Sequence, residues 1–194
     1  IHQLEVPPAA PERPAQSFPA RPSADPSTVR AGAHVLAYWS DNGARPWVCE
    51  VVAVSGSQAM LRYSDGSNAS VDLGDVVRVF ERGGAPRPGE RVWLASEPSV
   101  GVVRQVREDL VQVIAHGEER WIEAEQVVAL APAVDPARLV EGALVTALWQ
   151  ERSPYHATIV ARAGDRLRVA WHDGTEPSEI PVADVLETWT ARAP

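Results

Sequence analysis

Apolar and polar residues alternate with a two-residue period in short runs from residue 32 onward, and the runs recur in one order three times. "GAHVLAYW" begins at Gly32, "GERVWLAS" at Gly89 and "GALVTALW" at Gly142, spacings of 57 and 53 residues. Behind each comes a polar turn and a second alternating stretch: "WVCEVVAV", "VGVVRQV" and "HATIVAR". A tight turn and a third stretch follow: "QAMLRYSDG", "LVQVIAHGE" and "LRVAWHDG". Every unit then closes on a short polar strand and a "DV" or "QV" pair, "SVDLGDVVRV", "RWIEAEQVVAL" and "SEIPVADVLE". Alternation of this length, broken by Gly, Asp and Ser turns, predicts half-buried β-strands, and matching phases at one period predict a repeat protein.

Four or five strands in about 50 residues cannot bury a flat sheet on both faces, so each unit is expected to curl into a small barrel that protects its edges. The predicted class is all-β: three tandem SH3-like barrels at 31–82, 87–131 and 138–190, preceded by a Pro-rich extended segment. Helix is expected only as single turns near Gly74 to Val76, Ala124 to Gln126 and Val182 to Val185. The junctions "ERGGAPRPGE" (81–90) and "APAVDPARLVEG" (131–142) supply Pro and Gly punctuation. They are short, so neighbouring barrels are expected to touch and form one semi-rigid body.

Residues 1–30 carry a large share of the 17 prolines and show neither period. Proline fixes φ and removes a backbone donor, which favours extended, polyproline-like chain over a packed core. The segment reads as a linker or tether, either passive or docking on a partner or on the barrels.

Composition narrows the classes. With 45% apolar and 23% charged residues the chain can bury a core, and no apolar run approaches the roughly 20 residues of a membrane-spanning helix. The net charge is -8, and the 18 basic residues are all Arg and dispersed. Nucleic-acid affinity comes mainly from clustered cations that neutralise phosphates, so this distribution argues against it. The absence of Lys and the abundance of Ala, Val, Arg and Gly reflect a bacterial-like, GC-rich coding bias. The sequence begins at Ile1 rather than Met, so a segment upstream is expected to have been removed or left out; the compartment stays open between cytoplasm and, with a removed leader, periplasm or envelope.

The residues give no reason to expect catalysis, a metal or a cofactor. His2, His34, His116, His156 and His172 have no metal-ligand spacing and read as ordinary surface or strand histidines. His172-Asp173-Gly174 corresponds to Ser64-Asp65-Gly66 and to His116-Gly117, which turn chemistry explains. Cys49, the one cysteine, excludes an internal disulfide; it aligns with Ala157 and reads as a small buried hydrophobe.

Two aromatic groupings stand out, in "AYWSDNGARPWVCEVV" (37–52) and "ALWQERSPYHATIV" (147–160). These rings either line shallow pockets or fill and cap the barrel cores, where one or two large side chains supply much of the buried area. Alternation from Val145 and Ala147 puts Trp149 on the core side at a strand end.

"VLAYWSDNGARPWVCEVVAVSGSQAMLRYSDGSNASVDLGDVV" and "VTALWQERSPYHATIVARAGDRLRVAWHDGTEPSEIPVADVLE" resemble the Tudor family and its agenet-like relatives, which are small SH3-like barrels. The resemblance covers about 150 residues. It implies aromatic pockets that receive a cationic or methylated Lys or Arg segment, because such cations are drawn to the faces of aromatic rings. Carried over by position, the first unit offers Trp39, Trp47 and Tyr63 with Asp65 and Asn68; the third offers Trp149, Tyr155 and Trp171 with Asp173. The second has Ser96 for Trp39 and His116 or its neighbour for Tyr63, so no cage is expected there. Gly66 and Gly174 stand where the family often has a fourth ring, and Pro46 lengthens the loop before Trp47.

The expectation is a non-enzymatic protein-interaction module that binds a protein partner through its outer units, with the middle unit as spacer. A structural subunit of a larger, envelope-associated assembly is the second reading and a nucleic-acid binder the third. Oligomeric state stays open.

Overall fold

The structure is a computed structural model that describes residues 22–38, 46–81, 84–95, 99–150 and 153–189. The first unit holds β1 (His34–Tyr38), β2 (Pro46–Ser55), β3 (Gln58–Arg62), β4 (Asn68–Asp72) and β5 (Val76–Val79). The second holds β6 (Arg91–Leu94), β7 (Ser99–Arg107), β8 (Leu110–Ala115), β9 (Glu118–Glu123) and β10 (Val127–Leu130). The third holds β11 (Leu144–Trp149), β12 (Ser153–Ala163), β13 (Arg166–Trp171), β14 (Ser178–Pro181) and β15 (Val185–Trp189). The protein is all-β, as the alternation predicts.

Each unit is one antiparallel five-stranded sheet with a single topology, β4-β3-β2-β1-β5 in the first and its counterparts in the others. A register shift in the long second strand, between Val51 and Ala53, Val103 and Gln105, and Ile159 and Ala161, lets it bend and serve two neighbours. The sheets are barrel-like but not closed: the first and last strands in each order do not pair, so the edges expected to be joined stay open.

Inward positions alternate as expected. Val35, Ala37, Val51, Leu61 and Val76 are buried in the first unit's core; Val92, Leu94, Val103 and Val113 fill the second; Val145, Ala147, Ile159 and Val169 fill the third.

The outward face of each first strand is not solvated. Leu36 and Tyr38 from β1, Val77 and Phe80 from the end of the first unit, Trp93 from β6, Val128 and Ala129 from β10, and Leu186 from β15 form one further buried cluster. This fourth core belongs to all three units. Phe80 meets Trp93 with ring centroids 5.5 Å apart, joining units one and two. Tyr38 meets His156 at 5.5 Å, edge to face, joining units one and three, and beside them Arg78 pairs with Glu187 at 2.7 Å. The units thus make a single body, and the middle one contributes to its shared core.

The three expected helical turns are present as 3₁₀ turns at Leu73–Asp75, Ala124–Gln126 and Val182–Asp184. Two more, Pro26–Thr28 and Pro136–Arg138, lie where the sequence suggested tether and junction. In both, an Asp caps the turn, Asp25 accepting from the Ser27 amide and Asp135 from the Ala137 amide at 2.9 Å, and Pro opens it. The next apolar residue, Val29 or Leu139, is then buried in the core of the unit that follows. Within the segment read as a tether, Ala24 and Val29 pack on the first unit's core, and the Ala24 amide donates to the Val76 carbonyl at 2.7 Å, while residues 25–28 stay exposed.

Candidate functional site

Strand register fixes which aromatic side chains meet. β11 pairs Ala147 with Tyr155, and β12 pairs Ala157 with Trp171, so both rings flank small residues on one face. The rings fill the space those alanines leave. Tyr155 lies 6.0 Å from Trp149 and 6.3 Å from Trp171, both edge to face, so the third unit brings its three candidates together.

Their burial differs. Trp171 is 3% exposed, and its indole N–H donates to the Ser178 hydroxyl at 2.8 Å, the arrangement expected of a core ring whose polar edge must be satisfied. Trp149, at the end of β11, and Tyr155, near the start of β12, are half-buried against that core. The trio is a layered stack, one ring in the core and two on the rim.

In the first unit Tyr63 is buried and Trp47 half-buried against the core. Trp39 lies outside the described residues. The Tyr63 phenol shares a hydrogen bond with the Cys49 thiol, whose sulfur also lies 3.5 Å from the Trp47 carbonyl. Burial pushes the thiol up to about 12, with the Tyr63 hydrogen bond opposing. Tyr63 is raised above the ordinary phenol range by burial first and by Cys49 second. Neither group ionises near neutral pH, which fits the reading of Cys49 as a small buried hydrophobe.

The second unit explains why the rings sit where they do. Its counterparts of Ala147, Ala157 and Trp171 are Leu94, Gly101 and Ala115, with the large side chain moved to the first strand. A Cβ on Gly101 would come within 3.3 Å of both Leu94 and Val113. The volume carried by Tyr63 or Trp171 in the outer units is thus carried by Leu94 here, as a close-packed core requires. Ala115, rather than His116, is the residue that matches Trp171. His116 (φ 56°) and Gly117 (φ 78°) instead form the tight turn between β8 and β9.

The polar candidates are turn formers. Asp65 accepts from the amide and hydroxyl of Ser67 at 2.8 and 2.6 Å, which holds its carboxyl below the usual carboxylate range. Asp173 accepts from the Thr175 amide at 2.9 Å, and Asn68 opens β4 opposite Arg62, exposed. No group of three or more His, Cys, Asp or Glu suited to a metal occurs among the described residues. No helix of the described residues is long and apolar enough to cross a membrane.

His156, read from the sequence as an ordinary surface or strand histidine, is a strand residue and is 1% exposed. It lies on β12 in the seam between units one and three, edge-on to both Tyr38 and Trp189. Thr146 donates its hydroxyl to Glu187 at 3.1 Å, so His156 Nδ1, 3.1 Å from the same oxygen, carries the proton it shares. The sequence signals the buried seam, though not His156 itself: "HVLAYW", "RVWLAS" and "LVTALW" are apolar on both faces, the mark of a strand buried on both sides.

No family model matches this chain, and no curated protein is significantly similar to it.

Proposed function

We propose that this protein is a non-enzymatic interaction module, a rigid three-unit body that binds a protein partner through the rim of its third unit. Trp149 and Tyr155 carry the reading: two adjoining rings, half-buried and supported from below by Trp171, form a preorganised aromatic ledge. Such a ledge favours a cationic segment, methylated Lys or Arg included, and the net charge of -8 favours its approach. Because Trp171 is committed to the core, the contact is a two-ring ledge rather than the three-walled cage of the Tudor-like expectation.

The test is titration with trimethyl-lysine, dimethyl-arginine and unmodified peptides of one sequence, following tryptophan fluorescence. Binding that Trp149→Ala abolishes while the melting temperature stays within a few degrees supports the ledge; equal binding by wild type and variant removes it.

The scaffold reading draws on a different observation. On the outer face of the second unit Trp121 and Leu110 are exposed at 39% and 44%, with the Arg107 guanidinium 5.2 Å from the Trp121 ring centroid.

A further inference from the structure

Corresponding positions in the three units meet the next unit in different ways, and the differences point to a ligand site. At the seam between units two and three, Arg91 at the start of β6 reaches across and is held by backbone carbonyls. Its guanidinium donates to Ala183 O at 2.6 Å, Pro132 O at 3.3 Å, and Val185 O at 3.4 and 3.5 Å through its two terminal nitrogens. Nε donates to Ala131 O at 3.3 Å. Two of these carbonyls belong to the arginine's own unit and two to the next; burial disfavours the charge held there, and the Asp184 carboxylate opposes that effect in part. Five N–H donors in a planar fork suit such a ring of carbonyls, and a lysine ammonium could not span it.

The same frame exists one seam earlier. His34 occupies the Arg91 position, since the amide of Phe80 donates to His34 O as the amide of Ala131 donates to Arg91 O. Phe80 and Glu81 therefore correspond to Ala131 and Pro132. Glu125 is the middle residue of its 3₁₀ turn, as Ala183 is, and Val127 opens β10 as Val185 opens β15. All four counterparts, with His34, line one cleft of about 940 Å³ between units one and two. His34 is too short to do what Arg91 does. At the remaining seam the position is the apolar Leu144, and the Val76 carbonyl is taken by the Ala24 amide.

We infer that the cleft between units one and two is a binding site for a guanidinium group, an arginine side chain presented by a partner protein. The carbonyls of Phe80, Glu81, Glu125 and Val127 supply the acceptors, as their counterparts do for Arg91. The Glu81 and Glu125 side chains are exposed at the cleft and supply negative charge. Of the cations that also line it, Arg78 is committed to Glu187 at 2.7 Å and lies over the Phe80 ring at 5.4 Å, and Arg30 is exposed. The cleft shares no residue with the Trp149–Tyr155 ledge, so the two sites stand or fall separately.

N-acetyl-arginine amide and N-acetyl-lysine amide, titrated separately into the whole protein and followed by amide NMR shifts, test the inference. Arginine is expected to move Phe80, Glu81, Glu125 and Val127, with lysine weaker by about five-fold or more because an ammonium cannot fork across several carbonyls. His34→Arg, which supplies the chain's own guanidinium, is expected to raise the melting temperature and abolish these shifts; His34→Ala is expected to keep them. Absence of arginine shifts in the cleft, equal response to lysine, or unchanged binding in His34→Arg would overturn it. Movement confined to Trp149 and Tyr155 would also overturn it, while leaving the ledge standing.

Discussion

His156 of the third unit lies edge-on to the ring of Tyr38 of the first, 5.5 Å between centroids, and both side chains are buried. Two residues more than a hundred positions apart therefore share one interior, and the tandem units are not beads on a string. Small sheets of this size gain little by standing alone, and the fourth core adds apolar burial that none could make by itself.

Shared packing makes unfolding cooperative across units. Trp93→Ala, at the centre of that core, is expected to cost about 3–5 kcal/mol. Urea unfolding followed by both far-UV circular dichroism and fluorescence should show one transition, moved as a whole. Two separate transitions in the wild-type protein would show that the units fold independently.

Trp171 and Trp149 should respond differently to the same change. Trp171→Ala empties a core position and removes the hydrogen bond to the Ser178 hydroxyl, with an expected loss of about 3–5 kcal/mol. Trp149→Ala removes a half-buried rim ring and should cost roughly half that or less, since the cost follows the area withdrawn from water. Denaturation midpoints of the two variants measure the contrast directly.

Burial lowers the titration of His172, with Asp173 opposing, and its Nε2 lies 2.9 Å from the Thr158 hydroxyl. The folded state therefore takes up its proton at lower pH than the unfolded chain, which protonates near 6.5. Its contribution is fully present above that value and falls as pH drops below it. Melting temperature should decline between pH 7 and pH 5 more steeply in the wild type than in His172→Gln.

Cys49 should be inert in the native state. Its thiol, pushed up to about 12, presents almost no thiolate at pH 8, and thiolate is the reactive form. Reaction with a disulfide reagent at that pH should proceed only at the rate of unfolding and become immediate in denaturant. The folded state holds this proton more tightly than the unfolded chain, so the contribution is complete below about 9 and is lost as pH rises toward 12. Rapid native labelling would show that the sulfur is accessible.

Much of the architecture was legible in the sequence because its cause is local. Alternation from Val35 to Ala37, from Val92 to Leu94 and from Val145 to Ala147 obliges a strand to turn one face inward, and Gly and Asp mark where the strands reverse. The repeat, the all-β class, the three closing turns and the burial of Cys49 follow from that. Local pattern could not tell Trp171 from Trp149, since both lie on inward positions. The distinction came from register, which pairs Trp171 with Ala157 and Trp149 with Ser153, the last pair before the β11–β12 connection. Nor could it say what the outward residues Leu36, Tyr38 and Trp93 cover, or that Arg91 finds its acceptors in another unit, because contacts between distant segments depend on how the units dock. The sequence by itself determined three sheets and their cores, through side-chain periodicity and turn chemistry. Only the tertiary structure decided that they close around a fourth core and leave a carbonyl-lined cleft at one seam, since both arise from the fit of whole surfaces rather than from any stretch of chain.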